Sequence, residues 1–194
     1  MDLDTFLWLI PFLVVSLVVH ELAHAAVATW LGDPTPRNEG RLTLNPIVHL
    51  DPLGTLMFVI TALVSDFIFG WAKPVMVQPR AFARPQLGMA LVAAAGPATN
   101  LLLALGCVGL LVHGDFEGTA RDVLVRGYEV NIVLGLFNLI PIPPLDGSRI
   151  AGAILPSGLY ARWSQLDQVG MLGLFALIFL FNRQFWDVFG EVLA

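Results

Sequence analysis

Five apolar runs constrain this chain more than any other feature. They cover roughly residues 4–31, 53–70, 87–113, 123–140 and 166–182, with short proline-, glycine- and charge-bearing connections between them. A helix needs about 20 apolar residues to cross the hydrocarbon core of a bilayer, and these runs are of that order. Of 194 residues, 57% are hydrophobic and 13% charged, and the mean hydropathy is +0.77. A soluble domain carries about a quarter charged residues, so too little polar surface is left to wrap a soluble core. The expectation is an all-α polytopic membrane protein, a bundle of about 4–6 transmembrane helices, forming a single domain over residues 1–194. The N-terminal "MDLDTFLWLIPFLVV" is acidic where a secretory signal is basic and has no small-residue cleavage site, so it reads as a retained first helix. A net charge of −5 with no Lys/Arg cluster argues against nucleic acid as a partner. Cys107, within "LLLALGCVGLLV", has no second cysteine to pair with and reads as a packing residue.

The connection between the first and third runs is different in kind. "GRLTLNPIVHLDPLGT" and "WAKPVMVQPRAFARP" alternate apolar and polar residues around Pro and Gly, which predicts a short β-rich re-entrant segment after the first helix. Backbone of that kind survives at membrane depth only where protein or a water-filled cavity satisfies it.

Inside the first run stands His20-Glu21-Leu22-Ala23-His24. At 100° per residue, two histidines four apart lie about 40° apart and one turn along a helix, so both imidazoles reach one metal ion. Glu21 lies about 100° from His20, placed to face a water rather than to ligate. Zinc held by three protein ligands keeps a fourth position for water and lowers that water's pKa towards about 7. An ionisable group in a membrane helix costs about 2.5–3.5 kcal/mol on insertion scales, and such groups mark function. The third ligand has several candidates. His113 beside Gly114 and Asp115 fits a membrane interface, Asp66 caps or lines the second run, and Asp146 follows the helix-breaking Pro143 and Pro144 in "FNLIPIPPLDGSRI". Asp146 reads either as a ligand or as an ordinary helix N-cap.

Three motifs in order, His20-Glu21-x-x-His24, "GPATN" at 96–100 and "NLIPIPPLDG" at 138–147, resemble the site-2 protease family of intramembrane zinc metalloproteases. The middle segment resembles the small prokaryotic members without PDZ or CBS domains, and the likeness covers roughly residues 15–150. The resemblance implies one zinc ion held by His20, His24 and Asp146, with Glu21 as catalytic base. It also implies that Asn138 holds the substrate or the oxyanion.

Other residues have quieter readings. Asn100 bonds across helices or takes part directly, and His49 and Asp51 either orient a ligand or sit in a solvated loop. Gly96 and Pro97 allow close helix approach, and Trp8, Trp30 and Trp71 fit an interfacial belt. For the ligands to share one depth, runs one and four must point the same way, which obliges run two to dip and return or to lie in the interface. Arg37, Arg41, Lys73, Arg80 and Arg84, with Arg149 and Arg162, place their segments in the cytoplasm. The N-terminus is then outside, and the active site lies towards the cytoplasmic side of the cell membrane. The expected function is intramembrane proteolysis of a transmembrane protein substrate, with an open strand edge in residues 40–85 receiving the unwound stretch. The alternatives are a membrane metal-binding or transport protein using the same His/Asp cluster, and a catalytically idle scaffold.

Overall fold

The computed structural model describes residues 3–64, 69–167, 170, 173 and 174. Asp66 and most of the fifth apolar run lie outside them. The described chain is mostly helical: α1 (Leu3–Trp30), α2 (Thr35–Asn38), α3 (Pro46–His49), α4 (Pro52–Val64), α5 (Pro85–His113), α6 (Gly118–Asn138), α7 (Asp146–Gly152) and α8 (Ser157–Gln165). Two stretches, Ile10–Trp30 of α1 and Pro85–His113, are long and apolar enough to cross a bilayer. At 21 residues α6 is of similar length, with Arg121, Asp122, Arg126 and Glu129 in its N-terminal part.

Helices α1, α5 and α6 pack together, and close contacts fix their directions. His20 and His24 on α1 bond Asn100 and Val92 on α5, so these two helices run antiparallel. Gly127 of α6 faces Cys107 and Gly135 faces Pro97 and Leu101, so α6 also runs against α5. Phe12 packs on Gly127, and α1 and α6 therefore point the same way, as a shared depth for the ligands requires.

The segment after α1 is not β-rich. Among the described residues its one strand-like pairing is the antiparallel bridge Leu50–Ala72. Proline explains why. Pro46 and Pro52 sit in the first turns of α3 and α4, where a missing N–H costs nothing. The Asn45 side chain accepts from Ile47 N–H at 3.1 Å and that of Asp51 from Gly54 N–H at 2.8 Å, both capping helices. The polar residues of the alternating pattern are thus caps. On the return side, Pro74 and Pro79 cannot donate to a ladder.

Beyond α4 the described chain lies back along that helix. Helix α4 has 13 residues, about 20 Å at 1.5 Å each. Past it, Phe69 N–H bonds Thr61 Oγ1 at 2.9 Å, Gly70 lies against Gly54 and Phe58, and Ala72 pairs with Leu50. The chain therefore comes back to where it left.

Two buried charges latch the extended stretch that follows. Arg41, 1% exposed, donates to the carbonyls of Val48 (2.8 Å) and Pro74 (2.7 Å). Asp33 accepts from Thr35 N–H at 2.9 Å and Gln78 N–H at 2.6 Å. Burial opposes ionisation of Asp33, but the N–H of Gln78 and the bonds from Thr35 outweigh it and hold the carboxyl below its ordinary value. A hydrogen bond to a charged acceptor contributes about 1.5–3 kcal/mol. Asp33→Ala is therefore expected to speed amide hydrogen exchange at Gln78 by roughly 10- to 100-fold at neutral pH. In the unaltered chain the folded-state value lies below the unfolded one. The protection should then be complete above the ordinary 3.8 and fade as pH falls through the folded-state value.

Candidate metal centre

The helical spacing of His20 and His24 puts their rings edge to face, with centroids 4.6 Å apart and Nε2 atoms 3.0 Å apart. Oδ2 of Asp146 completes a triangle, 3.2 Å from each Nε2. Asp146 arrives there through the "NLIPIPPLDG" turn. Leu145, not Asp146, holds the capping position of α7, so the carboxylate is free to face the histidines. A side chain at Gly147 would collide with the Leu139 and Ile140 carbonyls, so glycine lets α7 start tucked beneath the end of α6.

The outer nitrogens decide what this triangle can hold. Nδ1 of His24 donates to the carbonyl of Val92 at 2.7 Å, and Nδ1 of His20 to Oδ1 of Asn100 at 2.6 Å. In neutral imidazoles with Nδ1 protonated, each Nε2 carries a lone pair. Three lone pairs therefore converge in a buried place, and Asp146 Oδ2 has no hydrogen-bond partner. Such a triad calls for positive charge at its centre. Ligand atoms of a tetrahedral zinc at about 2.0–2.1 Å stand about 3.3 Å from one another, close to the spacing observed. Two imidazoles and a carboxylate also form a zinc donor set with an open position. His20, His24 and Asp146 are thus the residues that would hold the ion.

Glu21 is 8% exposed, and its Oε2 is buried without a partner. Gly96 of α5 closes the other side: a Cβ there would lie 2.5 Å from both Nε2 atoms. The close approach expected at Gly96 thus has a specific object, the imidazole pair. Asn138 is placed apart. Its amide donates to Leu134 O at 3.0 Å, and among the described residues no hydrogen bond joins it to the triad.

Other sequence candidates fall elsewhere. His49 is fully buried, but its Nε2 bonds Thr43 O at 2.9 Å; Asp51 caps α4. Among the described residues neither bonds a member of the triad. His113 is exposed at the last turn of α5, and half-buried Cys107 packs on Gly127. Asn100 bonds across helices as expected, with a candidate ligand as its partner. Asn131, buried in α6, was not singled out from the sequence. Its signal was the one that marks Asn100, a lone amide in an apolar helix.

Comparison with known proteins fits zinc as the ion at this centre. The Peptidase family M50 profile matches residues 116–181, the part that contributes Asp146 rather than the histidines. YwhC of Bacillus subtilis is 40% identical over 92% of this chain and 86% of its own length. Rip2 of Mycolicibacterium smegmatis is 32% identical over 73% of this chain and 55% of its own. Both have provisional names as zinc metalloproteases. MJ0392 of Methanocaldococcus jannaschii, named a zinc metalloprotease, is 29% identical over 78% of this chain and 36% of its own. The chain thus spans most of YwhC but about half or less of the other two. No solved structure matches significantly.

Gly96 supplies a sharp test of the centre. Alanine is the better helix former by about 0.8–1 kcal/mol, so on backbone grounds Gly96→Ala should be benign. Its methyl would instead occupy the space between the imidazoles. Zinc affinity is expected to fall more than about 100-fold, beyond the loss of one outer hydrogen bond, with helical circular dichroism unchanged. Elemental analysis of purified protein, beside His20→Ala and Asp146→Ala, checks this.

Proposed function

Since the chain belongs to the site-2 protease family, peptidase family M50, and is a zinc metalloprotease, we propose that it cleaves transmembrane segments of other membrane proteins within the bilayer. The observation that carries this reading is Glu21: a buried carboxylate with an unpartnered oxygen, one residue from His20, in a helix apolar enough to span. A metal-binding or transport protein needs the triad but has no use for this group. When bound, zinc lowers the pKa of its water towards about 7 and polarises a carbonyl. Glu21 takes a proton from the attacking water as its oxygen bonds the scissile carbonyl carbon. It then delivers that proton to the amide nitrogen as the C–N bond breaks. Asn138 offers its remaining amide proton to the oxyanion.

A helical substrate must unwind before its peptide bonds are reachable. The stretch after Gly70 is suited to hold it. Phe69 packs on the Leu145–Leu174 cluster, next to Asp146, while Val77 packs on the Ala28–Val92 cluster beside His24. Between these anchors, the peptide groups of Val75, Met76 and Val77 make no hydrogen bonds among the described residues. An unwound substrate would add to them as a strand. The reading includes the larger bundle of about 4–6 spans, an outside N-terminus, a site towards the cytoplasmic face, and lipid and a transmembrane substrate as partners.

Glu21→Gln tests the proposal. General acid–base groups contribute typically 10²–10⁴-fold, so cleavage of a model transmembrane substrate in proteoliposomes should fall by about that factor while zinc content stays at the wild-type level. Cleavage at the wild-type rate would remove the proteolytic role of Glu21 and leave a metal-binding or transport role for the triad. A second substitution, Met76→Pro, is expected to raise KM several-fold with zinc content unchanged, because proline removes a donor from the docking edge.

A further inference from the structure

A chain of amide hydrogen bonds runs from the backbone of α6 to the ligand His20. Asn131 Nδ2 donates to Gly127 O at 2.8 Å, Asn100 Nδ2 donates to Asn131 Oδ1 at 2.9 Å, and Asn100 Oδ1 meets His20 Nδ1 at 2.6 Å. Asn100 is completely buried, and Asn131 is 3% exposed. The direction of every link follows from the first. A backbone carbonyl only accepts, so the amino end of Asn131 must face Gly127. Its oxygen then faces Asn100, which must present its own amino end in return. That leaves Asn100 Oδ1 towards the imidazole, and an oxygen there compels His20 to donate from Nδ1. The lone pair is thereby placed on Nε2, where Asp146 and His24 converge.

We infer that Asn131 is a positioning residue for metal binding: acting through Asn100, it fixes which nitrogen of His20 is free to ligate. The inference rests on the triad being the metal site, and it reaches a residue on a helix that supplies no histidine. His24 needs no such device, because its Nδ1 bonds the Val92 carbonyl directly. Without Asn131, one tether on Asn100 is left, the Ser16 carbonyl at 3.5 Å, too long to hold the amide by itself. Asn100 could then turn over and offer N–H groups to His20 Nδ1. The imidazole would answer by moving its proton to Nε2, the tautomer that cannot ligate through the nitrogen facing the triad.

The test uses the full-length protein in detergent, with zinc affinity read by chelator competition and the His20 ring read by ¹⁵N-histidine NMR of the zinc-free form. Asn131→Leu is expected to weaken zinc binding by about 10- to 100-fold, as loss of outer-sphere support does elsewhere. The low-field Nδ1–H resonance of His20 should be lost at the same time. Asn100→Asp supplies a carboxylate that accepts at either oxygen and needs no help in choosing its face. The double variant Asn100→Asp/Asn131→Leu should therefore recover affinity to within a few-fold of wild type, although it restores no packing at position 131. If Asn131→Leu does not fold, Asn131→Asp serves. It still accepts from Asn100, so affinity and the Nδ1–H signal should persist even where thermal stability drops. Wild-type affinity and an unchanged His20 signal in Asn131→Leu would overturn the inference. So would a double variant as weak as the single one, or loss of affinity in Asn131→Asp. A wild-type protein that binds no zinc would instead count against the metal-site reading itself.

Discussion

Three lone pairs, from two imidazole nitrogens and a carboxylate oxygen, are pressed within 3.0–3.2 Å of one another in the interior of an apolar helix bundle. In water, such groups would be separated by solvent. Here the surrounding helices carry few polar groups, and unpaired charge in a low-dielectric interior is costly. The bundle enforces the arrangement: acceptors on the far side of both rings take the Nδ1 protons and turn the Nε2 lone pairs towards the carboxylate. Much of the local sequence can be understood as serving that demand. Gly96 leaves room between the rings, Val92 and Asn100 take the outer protons, and Gly147 lets the start of α7 come close.

The contributing elements differ in stiffness. The histidines and their acceptors lie on α1 and α5, long helices in direct contact over the site. Asp146 comes from a proline-rich turn, but its neighbour Leu145 is buried with Leu174 and covered by Phe137, Ile140 and Phe69. The stretch from Gly70 to Gln78 is held differently, by Asp33, Arg41 and an apolar anchor near each end. Two buried charges at one connection are expensive unless each is bonded. Asp33 meets N–H groups of two residues, and Arg41 meets two carbonyls. These bonds fix where the stretch lies without using the peptide groups of Val75–Val77.

The helices that carry the site were legible in the sequence because long apolar runs have one stable answer. Runs at 4–31, 87–113 and 123–140 became Leu3–Trp30, Pro85–His113 and Gly118–Asn138. The histidine pair was legible because its geometry is internal to one helix; proline and glycine marked the turn that carries Asp146, and the family resemblance, not the turn, singled it out as a ligand over a helix cap. The middle segment misled because capping residues at helix starts and the polar positions of a half-buried strand give the same alternation. Asn45 and Asp51 are caps. Arg41 counts by sequence as a topological charge, yet it is an interior staple, a distinction made by the fold around it. Asn131 was hidden for another reason. Its partner lies 31 residues away, and their meeting depends on the antiparallel register of α5 and α6, which no short pattern encodes.

Burial that sharpens the metal centre also restricts what can reach it. A peptide brought into an apolar bundle must have its own N–H and C=O groups satisfied, and a helix satisfies them only while it stays wound. On the proposed function, unwinding and docking have to be one event, with bonds lost inside the substrate helix replaced by bonds to a waiting edge. The peptide groups of Val75–Val77, unbonded among the described residues, can supply such replacements while the latches at Asp33 and Arg41 keep the edge in place. The chemistry then needs no mobile ligand. Selectivity would come from which transmembrane segments can give up their helical bonds at the depth of His20, a property of the substrate's sequence rather than of a shaped side-chain pocket.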